Sequence, residues 1–415
     1  CSDASITLDI LIRITPPRPS VHFPRKPLNL ALVLDHSGSM AGAKKMPYAR
    51  EAALFAVRQL LPTDRVSVTI FDSEVETIVP STPATNRAEI ERKIAQIEPR
   101  GSTDLFGGWN AGAKQAQAGH LAGSLNRVLL LSDGLANVGV TDPNAITKQV
   151  RDVVAKGIGT TTLGVGSDYN EDLMEAMARA GDGNYYYIES PVQLTDIFQT
   201  ELDGLIATFG QKVSLGIEPN AGAGVTLADV LNDFEKVSTG RLMLPNLVAG
   251  VPVQAVVRLS IPPQSGGSFL SPISVRLAWD ETVDGKTSRR SLHARLDPVP
   301  ALALEVFSDW PSNPLVLEQE ALLMIARAQK EAARAMERGD IEGTHRLFDR
   351  AVGYAQGSPQ TASVLSEIAA IGTLREEVDR GNKARVTKLA KARSFFRTHS
   401  RSDVLDKQER PKDEP

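Results

Sequence analysis

Cysteine is nearly absent. Cys1 is the single one in 415 residues, so no disulfide can form within the chain. This excludes the small disulfide-stapled folds and favours a reducing compartment. There is no apolar run of about 18 residues, the length a membrane-spanning helix needs. No secretory apolar region is visible either. A basic excess is missing too: 46 Lys and Arg face 50 Asp and Glu, for a net charge of −4. That argues against a general nucleic-acid or membrane binder, so neither nucleic acid nor a transmembrane segment is expected. The sequence does not start with methionine. A lipid on Cys1, as in a processed lipoprotein, is one alternative location. Ala4–Thr15 already reads as a strand and leaves no spacer from a membrane, so the expected location is the cytoplasm. Phosphate-binding and nucleophile motifs are lacking as well. Gly164-Val165-Gly166 has no third glycine for a dinucleotide fingerprint, and neither a Walker loop nor a G-x-S-x-G elbow occurs.

What remains is an ordinary globular composition, 42% apolar and 23% charged, in a chain long enough for two or three domains. Ile6–Ile14 alternates partly and reads as a half-buried strand. Pro16, Pro17, Pro19, Pro24 and Pro27 then make an extended linker. From there short apolar runs alternate with helical patterns, which implies a mostly parallel sheet with helices on both faces. After about Gly210 the texture changes to short strands separated by Pro, Gly and Asn, as in an antiparallel β-sandwich. Residues 315–400 read as helices.

The informative segment is Asn29–Met40, NLALVLDHSGSM. An apolar run ends in Asp35, Ser37 and Ser39. Alternate residues on an extended backbone can point the same way, which places one carboxylate and two hydroxyls at the mouth of a strand. Thr103 follows in Gly101-Ser102-Thr103-Asp104-Leu105, and Asp133 ends a second apolar run from Val128. Both runs read as fully buried strands. In a doubly wound sheet, ligands bind outside the carboxyl ends of the strands where strand order reverses. The five groups are all hard oxygen ligands, suited to magnesium, manganese or calcium.

This pattern, DxSxS then Thr then Asp, resembles the metal-ion-dependent adhesion site of von Willebrand factor type A domains. The resemblance covers roughly residues 26–210, and no member of the five departs from the pattern. It implies a doubly wound α/β fold there. The remaining expectations are an N-terminal strand and linker over 1–25 that joins the sandwich, a β-sandwich over 211–300, a helical hairpin or bundle over 315–400 and a disordered tail over 401–415. The resemblance also implies that Ser37 and Ser39 bind the metal directly. Asp35, Thr103 and Asp133 would bind directly or through water. The metal is expected to be Mg2+, with Mn2+ or Ca2+ as alternatives. Three of the five groups are neutral, so a divalent cation held by them stays electron-poor. An Asp or Glu of a partner protein is the natural further ligand. The expected function is a non-enzymatic, metal-dependent protein-binding module, an adaptor or assembly factor of the kind found among bacterial relatives. In family members that switch, an acidic ligand also slides the closing helix, here Val192–Thr208; the alternative is a rigid domain.

The alternative function is a metal-dependent hydrolase or phosphotransferase using the same Asp, Ser and Thr residues. It would need a base, and His36 is the only candidate inside the motif. The expectation instead is that His36 sits exposed at the rim. Ser102 competes with Thr103 as the loop ligand, and Asp72 and Asp104 are expected to be solvated or outer carboxylates. The basic run Lys383–Arg401 is expected to be a solvated helix face balanced by nearby acids.

Overall fold

In the computed structural model, residues 4–18, 25–120, 123–237, 239–283 and 286–409 are described. Cys1, Pro19 and Pro24, and the expectations placed on them, lie outside these. The chain divides into two compact units. One is residues 18–209 with two short segments; the other is residues 1–17, 210–281 and 288–405.

The elements up to residue 206 are labelled in chain order. The strands are β1 (Ile6–Ile14), β2 (Leu28–Asp35), β3 (Arg65–Phe71), β4 (Val75–Pro83), β5 (Leu125–Ser132), β6 (Ile158–Val165) and β7 (Tyr185–Ile188). The helices are α1 (Lys45–Gln59), α2 (Arg87–Ala95), α3 (Leu105–Ala118), α4 (Pro143–Ala155), α5 (Glu171–Ala180) and α6 (Leu194–Ile206).

The first unit is a six-stranded sheet in the order β4-β3-β2-β5-β6-β7. Only β4 runs antiparallel, as a hairpin partner of β3. Every residue of β2 and β5 is buried. Both strands are covered on two faces, which is why they are continuous apolar runs rather than alternating ones. Strand order reverses between β2 and β5, which pair in parallel with Leu34 opposite Leu131. The ends of these two strands therefore form the switch-point crevice. Helix α3 packs closely on β2 beside this crevice. A Cβ on Gly112 would stand 2.2 Å from Val33 Cγ2, so only glycine lets the helix seat there. Asp104 caps α3, accepting a hydrogen bond from Gly107 N at 2.9 Å, and so sets where the preceding Thr103 loop ends. Asp104 is thus a half-buried helix cap.

In the second unit β1 pairs antiparallel with Val253–Ile261, from Ile6 opposite Ile261 to Ile14 opposite Val253. Thr226–Val230 pairs on the other side of that strand. Val257, Leu259 and Ile261 pack with Ile273, Ile217 and Val275 of a second antiparallel sheet, forming a sandwich. The opposite face of the same strand is mixed, with Val256 between Gln254 and Arg258. Val256 and Leu231 pack on Leu323 and Met324 of helix Pro314–Glu337. The helical region therefore belongs to the same compact unit as the sandwich rather than standing alone. The physical reason is that on this face Val256 needs apolar cover, while Arg258 pairs with Glu320 of the same helix at 2.7 Å.

Helices Pro314–Glu337, Ile341–Gln356, Ala362–Asp379 and Lys383–Thr398 share a core that includes Ile325, Ala332, Phe348, Ile371, Val386 and Ala390. The last of them corrects the expectation of a solvated basic face. Lys388, Lys391 and Arg397 are buried. Glu367, also buried, takes Arg393 Nη2 at 3.0 Å, Arg397 Nε at 2.8 Å and Gln329 Nε2 at 3.0 Å. Lys391 pairs with Glu337. The balancing acids come from other helices and draw the basic residues inward. The expectation of a disordered tail over 401–415 does not hold for its first part, and residues 410–415 lie outside the described residues. Ser402–Glu409 is helical, with Val404 and Leu405 buried, because this segment carries its own apolar pair.

Candidate metal centre

The five predicted ligands converge at the carboxyl ends of β2 and β5. Asp35, the last residue of β2, is fully buried. Its Oδ1 accepts from Ser37 N at 2.8 Å and its Oδ2 accepts from Ser132 Oγ at 2.5 Å. These two bonds fix the carboxylate so that it faces the crevice. Ser37 Oγ lies 3.1 Å from Ser39 Oγ, and Ser39 Oγ donates to Asp133 Oδ1 at 2.6 Å. A Cβ on Gly134 would stand 2.8 Å from Thr103 Oγ1 and 3.6 Å from Asp35 Oδ2. Thr103 thus faces Asp35 across a glycine. Ser102 does not: it is exposed, and its backbone N binds Ser73 Oγ at 2.9 Å.

Backbone bonds stitch the three loops together. Gly38 N donates to Gly101 O at 3.0 Å. Asn137 N and Val138 N both donate to Thr103 O at 3.3 Å, and Thr103 N donates to Asn137 Oδ1 at 3.0 Å. The Gly38–Lys44 segment is a kinked 3-10 turn, and the helix begins at Lys45. That turn is exposed except at Met40, as are Gly101 and Leu135, so the site opens at the surface.

His36 departs from expectation. It is 3% exposed rather than at the rim. Its Nδ1 lies 3.0 Å from Glu98 O, so Nδ1 carries the hydrogen, and its Nε2 lies 3.8 Å from Asp72 Oδ2. Lying between Asp35 and Ser37, it points away from their side and into the fold. There it holds the 98–101 loop, whose Arg100 N also donates to His36 O at 2.6 Å. Asp72 is likewise buried rather than solvated, and takes Arg100 Nε at 2.9 Å.

Three residues of the type A unit were not read from the sequence, two of them at the site. Ser132 holds Asp35; its signal was a hydroxyl closing an otherwise apolar buried strand. Lys45 extends its Nζ to 2.6 Å from Asp133 Oδ2. Its signal was a lysine at a helix start, where the macrodipole disfavours cations. Glu201 on α6 is buried and accepts from Thr161 Oγ1 at 2.6 Å, Asn184 Nδ2 at 2.7 Å and Tyr186 Oη at 3.0 Å. Its signal was an acid on the apolar face formed by Ile197, Phe198, Leu202 and Leu205.

Electrostatically the site is short of positive charge. Burial pushes the Asp35 carboxyl up to about 6; hydrogen bonds from Ser132 and Ser37 oppose this, and the Asp133 charge adds to it. The arrangement fits a hard divalent cation. All donors are oxygens, two are carboxylates with little counter-charge, and an ammonium is already drawn onto Asp133.

Residues 29–200 match the von Willebrand factor type A domain family. This part of the chain is a von Willebrand factor type A domain. A protein of Escherichia coli K12, YfbK, is 32% identical over 193 residues, 46% of this chain and 34% of its own length. The chain thus spans about a third of that relative. An uncharacterized Synechocystis protein is 27% identical over 359 residues, covering 80% of this chain and 79% of its own length. A solved structure described as von Willebrand factor type A from Catenulispora acidiphila has a TM-score of 0.68 at 15% identity, covering 91% of this chain and 86% of that one. That likeness in fold extends beyond the type A domain. Type A domains are commonly metal-dependent protein-interaction modules.

Proposed function

We propose that the chain is a non-enzymatic, metal-dependent protein-binding module. A divalent cation, Mg2+ with Mn2+ or Ca2+ as alternatives, is held by Asp35, Ser37, Ser39, Thr103 and Asp133. It takes the Asp or Glu side chain of a partner protein as a further ligand. The observation that carries this reading is the convergence of two carboxylates and three hydroxyls at a crevice whose rim is exposed. When bound, the cation supplies an electron-poor centre for an external carboxylate. The chain's own residues do the rest. Ser132 and Ser37 N orient Asp35, Asp104 and Gly112 seat α3 and the Thr103 loop, and the exposed turn leaves room for a protein surface. His36 supports this reading over the hydrolase alternative, because a base for hydrolysis must reach the metal. His36 instead is buried, with its ring spent on Glu98 O.

The test is affinity capture on the immobilised chain with magnesium, with chelator, and with Asp35→Ala in magnesium. The reading expects a partner retained only by the wild type in magnesium and released by free glutamate. Retention that is indifferent to chelator and to Asp35→Ala would overturn it.

A further inference from the structure

Among the described residues, the Lys45 ammonium is the one cation seated on the ligand set. It contacts Asp133 Oδ2 at 2.6 Å, and its side chain is 13% exposed against a fully buried Asp133 carboxylate. Helix energetics do not explain its position. A cation in the first turn opposes the helix macrodipole, and α1 has no acid in that turn to offset it. The backbone is bent to bring it there. Ala43 and Lys44, neither of them glycine, adopt φ of 50° and 58° directly before it. Such left-handed pairs are disfavoured for residues with a Cβ, and they cluster where surrounding interactions demand them. The side chain runs beside Gly166, just after β6, where a Cβ would stand at ordinary contact distance, 3.5 Å, from both Lys45 Cε and Nζ.

The charge balance gives this placement a purpose. Asp35 and Asp133 are both fully buried, and burying carboxylates without a counter-charge is costly. We propose that Lys45 is the built-in counter-ion of the metal-free site, and that a divalent cation binds in competition with it. The second half rests on the metal-binding reading above. The ammonium keeps the crevice formed and the fold intact without metal. A doubly charged ion entering beside it is repelled, and it displaces the ammonium from Asp133 toward the open rim. The tethered lysine therefore lowers metal affinity and makes loading reversible. Once released, it adds a positive charge beside the metal, suited to the second oxygen of a partner carboxylate.

Three measurements on the full chain test this. Calorimetry with magnesium should show Lys45→Met binding about tenfold tighter or more than wild type, because a like charge next to the ion is gone. Lys45→Arg should stay near wild type. In chelator, Lys45→Met should melt several degrees below wild type, and saturating magnesium should close that gap. Amine acylation of Lys45, read by mass spectrometry, should rise several-fold when magnesium is added to wild type. Equal or weaker magnesium binding by Lys45→Met overturns the competition. If wild type binds magnesium and Lys45 labelling stays constant, displacement is refuted while the metal site stands. If wild type binds no divalent ion, the metal-binding reading falls with the competition. The chelator melting of Lys45→Met then judges the counter-ion role alone: a melting temperature equal to wild type overturns it.

Discussion

Glu201 determines whether the closing helix of the type A domain can move. It sits on α6 and receives three hydrogen bonds, from β6 (Thr161), from Asn184 and from β7 (Tyr186). Sliding α6 would require all three to break in a buried setting. Glu201→Ala removes the acceptor and leaves three donors without it, two of them on residues that are buried. Each orphaned buried donor costs about 1–3 kcal/mol. Some will find water in the space left, so the net loss should be about 3–5 kcal/mol. Glu201→Gln keeps one oxygen and the shape, and should cost about 1–2 kcal/mol. Urea denaturation gives the stability change. Hydrogen exchange across 194–206 gives the local one, with faster exchange in α6 than in β2. If Glu201→Ala leaves both stability and α6 protection unchanged, the carboxylate does not pin the helix. The physical consequence is a preference for the rigid reading of the domain: a ligand must bind the two states with different affinity to move α6, and that difference must exceed the cost of unpinning Glu201.

Further predictions follow from other parts of the molecule. Burial opposes ionisation of Glu367, but the Arg393 and Arg397 guanidiniums outweigh it and hold the carboxyl below its ordinary 4.5. A depressed carboxyl stabilises the fold above its unfolded pKa, and that stability is lost as pH falls through the folded value. Glu367→Gln should therefore cost about 3–5 kcal/mol at pH 7, because two guanidiniums lose their buried partner. The gap from wild type should shrink below pH 4.5; denaturation at pH 7 and pH 3.5 checks this. Gly112→Ala should destabilise by about 1–3 kcal/mol, since its Cβ collides with Val33. It should also weaken metal binding by lifting α3 and its Thr103 loop, which paired melting and magnesium titrations would read. Chelator should lower the melting temperature only modestly while unfolding stays cooperative, because the loops rest on a preformed sheet; a broad, non-cooperative melt in chelator would contradict this.

The type A domain was legible because its central strands are buried on both faces and end in chemistry-bearing residues. The apolar runs and the order of Asp35, Ser37, Ser39, Thr103 and Asp133 can be read directly. Which way a side chain turns at a loop cannot. His36 was expected at the rim, yet its backbone lies against Phe71 and the 98–101 loop, and the ring follows inward. Lys45 and Glu201 were missed because a single charged residue in a helix is ordinarily solvated. Only the distant Asp133, Thr161 and Tyr186 give these two their roles. The basic Lys383–Arg401 run was misread for the same reason: its acids Glu337 and Glu367 are remote in sequence. In the sandwich, Thr226–Val230 escaped notice because TLADV is short and barely alternates, and its strand character comes from pairing with Val253–Ile261.

The central claim is that Asp35, Ser37, Ser39, Thr103 and Asp133 form one divalent-cation site. Isothermal titration of magnesium into the wild-type chain and into Asp35→Ala, with circular dichroism to confirm folding, tests it most directly. The account predicts a single saturable site in wild type and none in the folded Asp35→Ala variant; equal magnesium binding by the two would contradict it.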